Sequence, residues 1–148
     1  VPKTRAVTLG ETGLVLLVED EVILGRSTQR LLTQAGHKVH SVASGNEAVK
    51  WFQGTDRRPD LILLDMNMPG MSGAETYRAL RRIDPSCSAI IYSGYWTPEE
   101  EEQLREEGII EFIQKPFDAR QLREAVARAM KQIQRHAASQ TQTDGTRN

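Results

Sequence analysis

The chain predicts an α/β fold, a parallel sheet covered by helices on both faces, on three observations. Short apolar runs recur along it, LVLLV at residues 14–18, LILL at 61–64 and AIIY at 89–92. Each ends at once in polar or turn residues, the mark of a buried parallel strand. Strand-like and helix-like segments alternate five times, which demands right-handed crossovers and a sheet buried on both sides.

In order along the chain, residues 1–13 are polar, without period, and read as a linker. The 14–18 strand ends in Glu19, Asp20 and Glu21. A helix over 21–35 follows, with Ile23, Leu24, Leu31 and Leu32 as its apolar side and Gly36 as its left-handed C-terminal residue. Residues 38–43 alternate like a half-exposed edge strand. Ser44 and Glu47 form the capping-box pattern for the helix holding Ala48, Val49, Trp51 and Phe52. The central strand 61–64 delivers a lone carboxylate, Asp65, to the carboxyl edge of the sheet, where open α/β sheets hold ligands. Met68-Pro69-Gly70 is the turn that leaves the sheet. A helix over 74–83 stops at Asp84-Pro85, and the strand 89–92 ends at Ser93-Gly94. Thr97-Pro98-Glu99-Glu100 opens a helix poor in apolar residues, with Leu104 the main one, closed by Gly108. The last strand, 109–114, is broken by Lys115-Pro116. Asp118 caps a final helix in which Leu122, Val126, Ala129, Met130 and Ile133 recur at helical spacing. From residue 137 the composition of Ser, Gln, Thr and Gly predicts a disordered tail, leaving one domain over 14–136.

Bulk properties exclude several classes. The 148 residues carry a net charge of -1 with both signs interspersed, so nothing argues for nucleic acid. No stretch approaches a membrane span, and the single cysteine, Cys87, fits a reducing, cytoplasmic setting. The start at Val1 rather than Met predicts a piece of a longer protein.

The chemistry lies at the strand ends. Glu19 and Asp20, Asp65, Ser93 and Lys115 all sit on the same edge and should converge. Crowded carboxylates repel unless a cation joins them, and an oxygen-only set suits Mg²⁺ (or Mn²⁺). Lys115 offers a compact positive charge to a phosphate oxygen, and Ser93 a hydroxyl. An aspartate so placed can attack phosphorus and become an aspartyl-phosphate. Taken alone, Asp65 reads equally well as a turn cap; the matching ends of three other strands favour the reactive reading. Residues His37 and His40, three apart on a strand, face opposite sides and make a poor metal pair. Trp51-Phe52 and Trp96 read as packing or interface residues, His136 as exposed, and Cys87 as inert.

As a set, Glu19-Asp20, Asp65 with Met68-Pro69-Gly70 and Gly73, Ser93-Gly94 and Lys115-Pro116-Phe117 resemble the receiver domain of two-component response regulators, over about residues 14–133. The resemblance implies a doubly wound, flavodoxin-like sheet in strand order 2-1-3-4-5, which sets Asp20 and Asp65 side by side. It implies Asp65 as phosphoacceptor, taking its group from a phosphohistidine on a histidine kinase or histidine phosphotransfer domain. Glu19, Asp20, Asp65 and the backbone carbonyl of Asn67 would hold Mg²⁺. Ser93 matches the hydroxyl that moves toward the phosphate, Lys115 the lysine beside it, and Phe112 the aromatic that reorients with the hydroxyl. A cis Lys115–Pro116 bond would aim that lysine. Glu19, Ser93 and Phe112 stand where the family more often has Asp, Thr and Tyr, yet none removes a required group. Tyr95, beyond Gly94, stands where family members tune phosphoryl lifetime and is expected to shield Asp65 from water. Output contacts are expected on the last two helices and last strand.

Rival chemistries fit less well. A haloacid dehalogenase-type hydrolase wants an acid two residues past its aspartate, where this chain has Asn67. A flavodoxin needs a phosphate loop after the first strand, where Glu19-Asp20-Glu21 would repel it. The remaining alternative is a receiver-like interaction module that works without phosphorylation. The GETG segment entering LVLLVEDE, and YSGY, look like the carboxyl-terminal receiver of a hybrid sensor histidine kinase. The parent would then be a kinase, membrane-attached or not. The domain itself would catalyse only its own phosphorylation and dephosphorylation and would touch neither nucleic acid nor membrane. A stand-alone receiver is the other option.

Overall fold

A computed structural model describes residues 12–145. Its strands are β1 (Leu14–Val18), β2 (Lys38–Val42), β3 (Leu61–Asp65), β4 (Ala89–Ser93) and β5 (Ile109–Gln114). The alternating helices are α1 (Val22–Gln34), α2 (Gly45–Gly54), α3 (Gly73–Ile83), α4 (Pro98–Glu107) and α5 (Ala119–Gly145). All strands pair in parallel, in the order β2-β1-β3-β4-β5. The fold class and strand order are those predicted.

Side chains alternate across a strand, so each apolar run feeds two cores. Leu16, Val18, Ile62, Leu64 and Ile91 meet Ala48 and Phe52 of α2, Tyr77 and Leu80 of α3 and Leu104 of α4. Val15, Leu17, Leu61, Leu63 and Ile90 meet Leu32 of α1 and Leu122, Val126, Ala129 and Met130 of α5. The central strands are buried throughout, which is why they read as continuous apolar runs rather than alternating ones. Burying one such side chain is worth roughly 1.5–3 kcal/mol. Helix α4 buries only Leu104, so it is the least anchored of the layer.

Several local expectations are corrected. Ser44 accepts the Glu47 N–H, but the Glu47 carboxylate accepts from Ala43 N at 2.7 Å, one residue before the cap, so the box is not closed there. The complete capping box lies at Ser72 and Glu75, at the start of α3. Ile23 is 85% exposed; the buried stripe of α1 runs through Gly25, Thr28 and Leu32, about half a turn away. His37 precedes β2 and is buried, while the His40 ring stacks on Trp51 at 4.7 Å. The tail expected to be disordered from residue 137 is helical as far as Gly145. No glycine or proline intervenes between Phe117 and Gly145, and Ala, Gln, Ser and Thr each cost a helix little. Residues 1–11, most of the expected linker, and residues 146–148 lie outside the described residues. None of the described helices is long and apolar enough to cross a membrane.

Candidate phosphoacceptor and metal site

Register brings the strand ends together. Val18 pairs with Leu64, so Glu19 and Asp20, just past β1, stand beside Asp65 at the end of β3. Asp65 pairs with Tyr92, and Ser93 follows on β4. Ser93 pairs with Gln114, and the Lys115 N–H donates to the Ser93 carbonyl at 2.8 Å. The convergence is therefore a consequence of parallel pairing, with every strand offering the same edge.

Asp65 is 2% exposed. Its Oδ1 accepts from Lys115 Nζ and from the Asn67 N–H, each at 3.1 Å. One ligand atom from each of Glu19, Asp20 and Asp65 lies within 4.8 Å of the others, so the trio can hold a metal ion. An all-oxygen, carboxylate-rich set of this kind fits a hard divalent cation. Glu19 is buried, and burial above all, with the Asp65 charge adding to it, pushes its carboxyl pKa up. Hydrogen bonds from the Tyr92 hydroxyl at 2.6 Å and the Glu21 N–H at 3.0 Å oppose that shift.

The turn after β3 shapes the floor of the site. Gly70 takes φ +76°, open to glycine, and Met68 tucks its side chain into the core. Gly73 donates to the Met66 carbonyl at 2.9 Å, and a Cβ there would meet the Asp65 carbonyl oxygen at 2.5 Å. Only glycine lets α3 start this close to the end of β3.

Ser93 is fully buried. Its hydroxyl donates to the Tyr95 carbonyl at 2.9 Å and accepts from Asn67 Nδ2 at 3.1 Å. The Tyr95 ring, by contrast, is 75% exposed, and Gly94 is exposed beside it. Phe112 lies outside the carboxylate cluster, 5.4 Å from the Trp96 ring, with the Arg105 guanidinium 5.0 Å above it. Trp96 Nε1 in turn donates to Glu101 at 2.7 Å. The Lys115–Pro116 bond is cis. Thus Glu19, Asp20, Asp65, Asn67, Ser93 and Lys115 come together, while Phe112 and the Tyr95 ring stand apart.

Two contributors escape the sequence. Tyr92 reaches Glu19, and the Asn67 side chain reaches Ser93. The only signal for the first was a tyrosine closing an aliphatic strand, just before Ser93.

Residues 15–127 match the family model of the response regulator receiver domain. The sensor kinase CckA of Brucella abortus is 34% identical over 118 residues, 80% of this chain and 12% of that protein. Sporulation initiation phosphotransferase F of Bacillus subtilis is 31% identical over 112 residues, 76% of this chain and 89% of that protein. The solved structure of the Vibrio cholerae chemotaxis protein CheY4 superposes with a TM-score of 0.72 at 27% identity, covering 80% of this chain and 98% of that one. The chain thus spans a small part of the sensor kinase and most of the other two.

Proposed function

The chain belongs to the response regulator receiver domain family, and from that premise we propose that Asp65 accepts a phosphoryl group from a phosphohistidine and so switches the surface of α4, β5 and α5. The observation that carries the reading is one buried carboxylate with a lysine ammonium 3.1 Å away and two further acids close enough to share a cation. In the reaction an Asp65 oxygen bonds to phosphorus as the phosphorus–nitrogen bond breaks. The electron pair of that bond stays on the imidazole nitrogen of the donor. Such transfer asks the protein mainly for position and charge. Lys115 supplies positive charge beside the incoming oxygens. The Ser93 hydroxyl, by turning from the Tyr95 carbonyl, supplies a donor. Glu19, Asp20, Asp65 and the Asn67 carbonyl would hold Mg²⁺ (or Mn²⁺), which when bound offsets charge on the phosphoryl oxygens. Phe112, leaving its place between Trp96 and Arg105, would carry the change to the α4–β5–α5 surface.

The partners are a histidine kinase or histidine phosphotransfer domain as donor and an output protein at that surface. The parent is a hybrid sensor kinase with this domain as its carboxyl-terminal receiver, on the cytoplasmic side. The identity to a segment of a sensor kinase supports that origin. The test is incubation with acetyl phosphate and Mg²⁺, read by intact mass. One phosphoryl increment, lost without Mg²⁺ and lost in Asp65→Ala, is the expected result. No increment, or an increment that persists in Asp65→Ala, leaves the phosphorylation-independent interaction module as the reading.

A further inference from the structure

Strand β4 is aliphatic except where it reaches the site, and there it places Tyr92, fully buried. Its hydroxyl donates to Glu19 Oε1 at 2.6 Å, the short length of a charge-assisted bond. Its ring lies 5.2 Å from Lys115 Nζ, within cation–π range, and Phe117 packs edge-on against it at 5.6 Å. One side chain therefore touches an acid on one side of Asp65 and the lysine on the other.

Glu19 is the acid that most needs such a contact. It carries one more rotatable bond than the aspartate common at this position and loses more freedom when fixed. Its second oxygen, Oε2, accepts from the Glu21 N–H at 3.0 Å. Donors on both oxygens, one from β4 and one from the main chain, hold the carboxylate plane in one orientation. Each oxygen keeps a second lone pair for a cation or its water.

We infer that Tyr92 is a positioning residue: its hydroxyl holds Glu19 toward the cation that Asp20 and Asp65 share, and its ring seats Lys115. This rests on the metal-dependent phosphoacceptor reading above. Outer partners of this kind orient metal-binding carboxylates, and their loss weakens metal binding without removing a ligand.

The test is calorimetric titration with Mg²⁺ of the wild-type chain, Tyr92→Phe, Glu19→Gln and the double variant. Tyr92→Phe removes one oxygen and leaves the ring on Lys115, so the core stays filled. The expected result is Mg²⁺ binding weakened roughly ten-fold by Tyr92→Phe. Little further loss is expected from that change in the Glu19→Gln background, because the two residues act as one unit. Mn²⁺ titrations should follow the same order. Wild-type and Tyr92→Phe affinities within about two-fold of each other overturn the inference, as does an equal loss in both backgrounds, which marks a merely structural role. A wild-type chain that takes up no Mg²⁺ overturns the phosphoacceptor reading along with it.

Discussion

His37 is buried, and its Nδ1 accepts the Gly13 N–H at 3.2 Å, an acceptor role that needs an unprotonated nitrogen. Burial lowers its pKa. The unfolded chain therefore binds this proton more readily than the folded one. The stability His37 contributes is complete above its unfolded pKa of about 6.5 and is lost as the pH falls through and below that value. Urea unfolding at about pH 7.5 and about pH 5.5 should show a larger acid-induced loss for wild type than for His37→Gln. Equal losses would place the acid sensitivity elsewhere. Tyr95 belongs to the same scale. Its backbone is tied to Ser93 Oγ on both sides, through N at 3.3 Å and O at 2.9 Å, while its side chain is exposed next to Ser93. Tyr95→Ala should speed loss of phosphate from Asp65 several-fold, measured as decay of the phosphorylated mass. An unchanged decay rate removes the shielding role.

Among the elements, the turn between β3 and α3 ties the fold to the site most tightly. A Cβ at position 73 would meet Asp65 O at 2.5 Å and Met66 Cα at 2.8 Å, both main-chain atoms that cannot step aside alone. Gly73→Ala should cost roughly 1–3 kcal/mol in urea unfolding. It should also slow phosphoryl uptake by shifting Asp65. Unchanged stability and uptake would show that α3 can retreat without moving the strand. Helix α4 stands at the other extreme, anchored by Leu104 and by the Trp96–Glu101 and Arg105–Phe112 contacts at its edges. Few buried apolar contacts mean a low cost of local movement, which suits the response to Asp65 proposed for this helix.

Over the whole molecule, the parallel sheet turns four separate strand ends into one site. That much was legible in the chain, because each central strand is an unbroken apolar run and the first polar residue after it marks the edge. Glu19, Asp65 and Ser93 follow from that rule alone, and Lys115 from the Lys115-Pro116 break that ends the last strand. The Tyr92–Glu19 and Asn67–Ser93 contacts were not legible, since they depend on which strands are neighbours and on side-chain reach across them. Pairing His37 with His40 on one strand fails because the alternating pattern, like β2 itself, begins only at Lys38, which leaves His37 in the preceding turn. The helix through residue 145 was misread because polar composition alone does not stop a helix when no breaker is present. The central claim is a covalent bond between phosphorus and the Asp65 carboxylate. Borohydride reduction after Mg²⁺ and acetyl phosphate treatment converts an aspartyl-phosphate to homoserine, which peptide mass spectrometry locates. Homoserine at position 65, absent when Mg²⁺ is withheld, is the result expected; homoserine at Asp20 instead, hydroxynorvaline at Glu19 instead, or no reduced residue at any position would contradict the account.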